Sequence, residues 1–401
     1  MFARSYAILI KNQWPLIAFG FLSIFFGNIG QSFFISWYGS SLKEALLLSD
    51  ATYGGIYAIA TMTSSVLVIS FGGVVDRIRV DKLLIFFAML LMIACALMYS
   101  VDSVIGLLVG FFLLRFCGQG FLPHIAQATV IKRAQQDKGK AISLVGSGVA
   151  IGEVVLPSIV IGLIAFLGWR ESWLFIGATL LVVFLPLVLF LVRKADLKRT
   201  RIEADHQNQA SDASRRQVIR DWRFWMIIPI ALVTPFLVTG VFIQQDFILA
   251  AKQWTPGVLA GSFVFYGAVH WLSSVISGSL IDKYRSRNVL ILIPIPLVLG
   301  LMVIANVNHT LAAPLFMCLF GLAIGATNPV INTLWAEMYG VSHIGAIRSL
   351  VTGMMILSTA LAPWVFGMVI DIGWTLNQLI YALIGLILSF TVLLVPVYPR
   401  L

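Results

Sequence analysis

The chain has 401 residues, 60% of them hydrophobic and 11% charged, with a mean hydropathy of +0.97. Soluble domains carry about 25% charged residues, so this composition excludes an ordinary water-soluble globular protein and points to a chain whose main solvent is lipid. The net charge of +10 is no nucleic-acid footprint, because the basic residues lie in short stretches between apolar runs and form no basic face outside them.

Crossing about 30 Å of hydrocarbon as a helix takes about 20 apolar residues. Runs of that kind follow one another along the chain: Trp14–Tyr38, Ala51–Val75, Leu83–Val101, Val104–Ala128, Ala141–Leu167 and Trp173–Val192, then Phe224–Leu249, Val258–Ile281, Val289–Val307, Leu311–Trp335, Ala346–Ile370 and Leu376–Val397. Backbone amides cannot be left unpaired in lipid, and a closed barrel would show short alternating segments instead. The expectation is an all-α membrane protein of 12 transmembrane helices. No short apolar core with a small-residue cleavage site precedes Trp14, so the first run is expected to span rather than to be removed as a signal peptide.

The first six runs fill residues 1–192 and the last six residues 224–401. Residues 193–223 between them are rich in Arg, Lys, Asp, Gln and Ser without apolar periodicity, and are expected to form a cytoplasmic linker. Of the 27 Lys and Arg residues, 23 fall on the side of the membrane shared by both termini, while Lys43, Arg170 and Lys252 fall on the other and Arg115 falls inside a run. That bias places both termini in the cytoplasm. Cys95, Cys117 and Cys318 all lie inside runs, where lone cysteines behave as small apolar residues.

The halves repeat. Gly72-Gly-Val-Val-Asp76-Arg77-Ile-Arg79 recurs as Gly278-Ser-Leu-Ile-Asp282-Lys283-Tyr-Arg285, with the aspartates 206 positions apart, and Gly139, Ser143, Leu144 and Pro157 recur at the same offset as Gly345, Ser349, Leu350 and Pro363. Two six-helix halves, a central basic loop and an Asp-Arg/Lys signature after the second and eighth runs resemble the major facilitator superfamily of secondary transporters, over nearly the whole chain. That family's loop has the form Gly-x-x-x-Asp-Arg/Lys-x-Gly-Arg-Arg/Lys. The first copy matches at Gly72, Asp76 and Arg77 and departs at Arg79 and Val80; the second matches at Gly278, Asp282 and Lys283 and more loosely at Arg285 and Arg287. The resemblance implies parallel repeats about an axis along the membrane normal, a substrate site near the midplane and transport by alternating access. It also implies that Asp76 with Arg77, and Asp282 with Lys283, act as cytoplasmic gate elements, since a carboxylate suits a helix N-terminus and the adjacent cation suits anionic lipid. Plain topological charge is the simpler alternative for these residues.

Two charges lie near mid-membrane. Arg115 is eleven residues into the fourth run and Glu153 twelve into the fifth, where an unpaired charge costs at least about 2.5–3.5 kcal/mol. The two runs are antiparallel neighbours, which allows an Arg115–Glu153 ion pair. Arg115-Phe-Cys-Gly118-Gln119-Gly120 resembles the Arg-x-x-x-Gly pattern of the family's fourth helix, where the arginine is tied to proton coupling or anion binding, and a planar guanidinium fits a carboxylate with two parallel hydrogen bonds. Glu153 follows the glycine-rich Gly146-Ser-Gly148-Val-Ala-Ile-Gly152, which does not reproduce the family's antiporter motif; its repeat partner is Thr359, so the carboxylate belongs to one half only. A structural role for the pair remains the competing reading.

Weaker polar signals lie elsewhere. Gln31 in the first run, and Gln244 and Gln245 in the seventh, can hydrogen-bond a solute or bridge helices with equal ease. His270, central in the eighth run, titrates near neutral pH and can relay a proton, or can pack beside Trp271. Asn328 and Asn332, four apart, share one face of the tenth run, while Glu337 and Arg348 sit where a second gate contact is expected. This stretch resembles bacterial facilitators of the monocarboxylate and oxalate-formate branch.

An ATP-driven pump lacks its Gly-x-x-x-x-Gly-Lys-Ser/Thr loop here, and a membrane enzyme its nucleophile elbow or zinc motif. The expectation is a secondary transporter of the bacterial inner membrane, monomeric and without cofactor, nucleic acid or metal, that moves a small organic anion with protons. The alternative is proton-coupled export of amphiphilic compounds or drugs, which 28 phenylalanines and 11 tryptophans would suit.

Overall fold

The computed structural model describes residues 2–134, 138–197, 217–339 and 344–398; within helices, the side chains of residues 2–8, 76, 138–139, 282, 344–346 and 348–349 lie outside the description. Among the described residues every regular element is helical. In chain order these are α1 (Phe2–Gly27), α2 (Asp50–Phe71), α3 (Val80–Tyr99) and α4, which runs from Val104–Leu113 through a π-helical turn, Leu114–Phe121, into Leu122–Arg133. Then come α5 (Lys138–Leu167) and α6 (Trp169–Thr179), with a second π turn, Leu180–Phe184, leading into Leu185–Lys194. The second half holds α7 (Trp222–Ile243), α8 (Pro256–Tyr284), α9 (Ser286–Leu290 and Pro294–Asn306), α10 (Ala312–Tyr339), α11 (Ile344–Asp371) and α12 (Leu376–Val392). Eleven of these are long and apolar enough to cross a membrane; α12, with 17 residues, stands at the lower limit of about 17.

Two expected spans are corrected. Trp14–Tyr38 is not one helix: α1 ends at Gly27, a 3-10 turn covers Asn28–Gly30, Gln31 is extended, and short helices follow from Ser32 to Leu46. Phe224–Leu249 breaks at Gln244 and resumes as Gln245–Lys252. Mean hydropathy is blind to such breaks, because it averages side chains and does not see where the backbone leaves the helical region.

Helix starts are marked by polar side chains that take otherwise unpaired amides. Ser103 Oγ accepts the Gly106 N–H at the head of α4, and Thr375 with Gln378 forms a capping box at α12. Asp221 caps α7 through the Arg223 N–H, grips the Arg223 guanidinium at 2.8 Å and accepts the Tyr339 hydroxyl at 3.1 Å. Partial burial alone would raise the Asp221 carboxyl, but the hydrogen bonds from Arg223 and Tyr339 outweigh it and hold the group below its ordinary value.

The chain divides into two compact units, one of Met1–Leu47 and Ile59–Ala204, the other of Leu48–Ala58 and Asp205–Leu401. In the first, α1 packs on α4 and α5, and α3 packs on α6. Its core includes Tyr38 against Trp173, ring centres 4.2 Å apart, with the Tyr38 hydroxyl 2.9 Å from Ser172 Oγ. In the second, α8 pairs with α10 and α7 with α11. A Cβ on Gly321 would come 2.6 Å from the Tyr266 carbonyl, and one on Gly325 would collide with that of His270; glycine is what lets α8 and α10 approach so closely. Outward faces are apolar: Phe166 is 91% exposed and Val182 71%, as expected where the surroundings are acyl chains.

The second unit also holds the head of α2. Both carboxylate oxygens of Asp371, the last residue of α11, accept backbone amides there, from Asp50 at 3.0 Å and Ala51 at 3.0 Å. A carboxylate at a helix N-terminus satisfies orphan donors and opposes the positive end of the dipole. Replacing Asp371 with Ala is expected to weaken this end by about 1–2 kcal/mol. Amide hydrogen exchange at 50–53 should quicken several-fold while exchange in α8 and α10 stays unchanged; equal rates in variant and parent would show that the cap is idle.

Candidate functional site

In the first unit the break in α1 organises the buried charges. Leaving the helix at Gly27 frees carbonyls from their ordinary partners, and the one on Gly30 accepts a hydrogen bond from Arg115 Nη1 at 3.0 Å. Arg115 is only 2% exposed and lies inside the π turn of α4, a widened turn that recurs at functional sites. The two backbones touch: a Cβ on Gly27 would sit 2.7 Å from the Gly118 carbonyl, and one on Gly30 would collide with that of Leu114.

The fifth helix reaches the same turn. Asn28 Nδ2 donates to the Gly148 carbonyl at 2.9 Å, and a Cβ on Gly152 would collide with the Asn28 side chain. Glu153, the next residue, is 5% exposed. The arginine-bearing helix and the carboxylate-bearing helix therefore both meet the Asn28–Gly30 turn, and both charged residues are buried. Gln31, half-buried, begins the chain beyond it.

The second unit has its own break, at Gln244 in α7. Gln244 is 1% exposed, and its Nε2 donates to the carbonyls of Asp50 at 3.0 Å and Pro363 at 3.1 Å. Gln245, also 1% exposed, differs: neither its amide oxygen nor its nitrogen has a hydrogen-bond partner among the described residues. Burying such a group unsatisfied costs about 1–3 kcal/mol. His270 is half-buried with its ring 5.8 Å from that of Tyr266; on α10, Asn328 is exposed and Asn332 half-buried. These three stand on the α8–α10 pair.

At the signature loops, Arg77 ends a four-residue helix, Val74–Arg77, and is exposed, while His124 Nε2 donates to the Gly72 carbonyl at 3.0 Å. Lys283 is exposed and lies 5.0 Å from the Tyr284 ring centre. Glu337 accepts the Ser286 hydroxyl. The side chains of Asp76, Asp282 and Arg348 lie outside the described residues. Arg285 occupies the place where the motif has its second glycine, and its backbone keeps a glycine-like conformation, φ 63° and ψ 153°, at a cost of about 1–3 kcal/mol. Arg79, at the same place in the first copy, has relaxed to φ −58° and ψ 137°.

Sequence reasoning passed over Asn28, Asp371 and the paired carbonyls. Asn28 could have been found from its place between Gly27 and Gly30, where an amide is the group best able to serve an interrupted backbone; Asp371 carries no such signal, since an aspartate at the end of a span looks like ordinary topology.

A family model described as Major Facilitator Superfamily matches residues 18–251 and 236–401. No curated protein matches the chain. Among solved structures the fold is similar to that of a mutant form of the nucleoside transporter NupG, with a TM-score of 0.74 at 14% identity over 94% of this chain and 98% of that one. It is also similar to a bacterial homologue of the human lysosomal transporter Spinster in an inward-facing, unoccupied conformation, with a TM-score of 0.68 at 14% identity over 96% and 95% of the two chains.

The glycine contacts yield a stability test. Gly30→Ala forces Cβ into backbone that has no side chain to yield, an overpacking cost of about 1–3 kcal/mol or more, whereas Gly146 has open space around it and Gly146→Ala should be neutral or stabilising by up to about 1 kcal/mol. Melting temperatures of the two purified variants are expected to move in opposite directions or to differ widely.

Proposed function

We propose that this chain, which belongs to the Major Facilitator Superfamily by the match along its length, carries a small organic anion of the monocarboxylate kind across the bacterial inner membrane together with protons, by alternating access. That it is a multi-pass membrane transporter follows from the family. The cargo rests on one observation: the buried Arg115, tied to the Gly30 carbonyl at 3.0 Å, shares the Asn28–Gly30 turn with the helix that carries Glu153. A planar guanidinium matches a carboxylate through two parallel hydrogen bonds. In this reading a substrate carboxylate takes up Arg115 while Glu153 carries the coupling proton, so that the buried charge is balanced in both the loaded and the empty states. Gln31 supplies a hydrogen bond at the turn, Gln244, Gln245, His270, Asn328 and Asn332 line the path, and the loop residues Asp76, Arg77, Asp282, Lys283, Glu337 and Arg348 gate it. The distribution of Lys and Arg supports cytoplasmic termini. The chain acts as a monomer.

Gln245 favours a second reading. An amide buried without a partner suits a neutral, hydrogen-bonding solute, the class to which the nucleosides handled by the structurally similar transporter belong.

A thermal-shift screen of the purified chain against carboxylates, nucleosides, sugars, amino acids and lipophilic cations separates these readings. Small carboxylates are expected to stabilise the parent and to lose about tenfold to hundredfold in affinity with Arg115→Ala, the equivalent of about 1.5–3 kcal/mol. Carboxylate binding untouched by the substitution would overturn the role of Arg115. In vesicles, Glu153→Gln should abolish proton-driven uptake while leaving exchange, and unchanged uptake would remove Glu153 from the mechanism.

Gln245→Met tests the unpartnered amide. Replacing a buried group that makes no protein hydrogen bond with an apolar one of similar size should leave the melting temperature level or higher, while the apparent affinity for solute falls. A drop in stability of 1 kcal/mol or more would mark the amide as structural instead.

A further inference from the structure

Transport leaves unused a groove of about 240 Å³ in the second unit, walled by α8, the start of α9 and α10. Its lining is apolar. The hydroxyls at its border are spent inside the protein: Ser273 Oγ donates to the Leu322 carbonyl at 2.7 Å and Ser277 Oγ to the Ser273 carbonyl at 2.7 Å. A polar solute would find nothing to bond there. Leu272, Ile276, Leu292 and Leu322, all on its walls, are 44–53% exposed, so the groove is open along the surface of the unit.

Its length fits one leaflet. On α8 the lining runs from Val269 to Leu280, eleven residue steps that rise about 16 Å at 1.5 Å each, close to half of the roughly 30 Å hydrocarbon thickness. An acyl chain reaches that depth.

The end of the groove is basic. Between the lining residues Leu280 and Val289 the chain carries Lys283, Arg285 and Arg287, the first two exposed and the third half-buried. The Arg287 guanidinium lies 5.8 Å from the Tyr398 ring centre, and its Nε has no acceptor among the described residues. Glu337 at this end accepts the Ser286 hydroxyl, and in sequence Asp282 is the one acid among the three cations Lys283, Arg285 and Arg287 between Leu280 and Val289. Arg285 is held in a backbone conformation that glycine would adopt freely, an arrangement that persists where the side chain has a use.

We propose that the groove and the basic end form one binding site for an anionic phospholipid, with an acyl chain along α8 and the phosphate on Arg285 and Arg287. An apolar groove alone would accept the chain of any lipid; the cations make the choice of headgroup, as basic pockets between transmembrane helices do. The proposal needs only that the chain lies in a bilayer, and stands apart from the identity of the transported solute.

The full-length chain in detergent is titrated with phosphatidylglycerol or phosphatidylcholine of identical acyl composition, bound lipid is counted by native mass spectrometry, and melting is followed in parallel. Phosphatidylglycerol should be retained about fivefold or more over phosphatidylcholine, and Arg285→Gln with Arg287→Gln should bring it down to the phosphatidylcholine level. Ala326→Phe, which fills the groove, should abolish retention of both; if that variant does not fold, Leu292→Trp at the rim replaces it. Glycerol 3-phosphate, the headgroup without chains, should give no protection. Equal retention of the two lipids by the parent chain, undiminished retention in a folded groove variant, or protection by glycerol 3-phosphate equal to that by the lipid would each overturn the proposal.

Discussion

A helix that stops inside a membrane leaves carbonyls that lipid cannot satisfy, and the rest of the first unit is arranged around one of them. The Gly30 carbonyl is met by a guanidinium, which must itself be buried to reach it, which in turn favours a carboxylate nearby to offset its charge. The glycines of α1, α4 and α5 follow from the same demand, since only a backbone without Cβ lets α4 and α5 come close enough to deliver these groups. Charge, glycine and helix break are one device. It is also costly to assemble, and such cost is retained where the charged group has further work to do.

The second unit solves a similar break differently. At Gln244 the amide nitrogen bonds to two carbonyls, Asp50 and Pro363, and no arginine among the described residues of this unit is buried. The two halves therefore share an architecture while differing in chemistry: a charged, tightly contacted turn in one, a neutral amide pair in the other.

The sequence made legible what depends on side-chain hydrophobicity and charge. Apolar run lengths mark the helices, because the thickness of the bilayer sets them. Arg115 and Glu153 stand out because ionised groups are so unfavourable at that depth. Hydropathy alone did not reveal the breaks at Asn28–Gly30 and Gln244, since neither carries a proline and each sits within a run whose average stays apolar. The Asp371 cap joins residues 320 positions apart, and no local pattern encodes it. Arg285 illustrates a third kind of limit: its letter passed as a loose match to the loop motif, and only the backbone shows that it occupies a glycine-like conformation.

Where the end of α1 and the turn after it meet the π turn of α4, backbone lies against backbone, Gly27 and Gly30 against Leu114, Gly118 and Gln119. Side chains can absorb a shift by changing rotamer; main-chain atoms in van der Waals contact cannot, and interfaces of this kind change by switching rather than by bending. The arginine, the turn it serves and the glycine-rich start of α5 must then travel as a single piece. Any motion of the first unit therefore has its hinge elsewhere than in this contact.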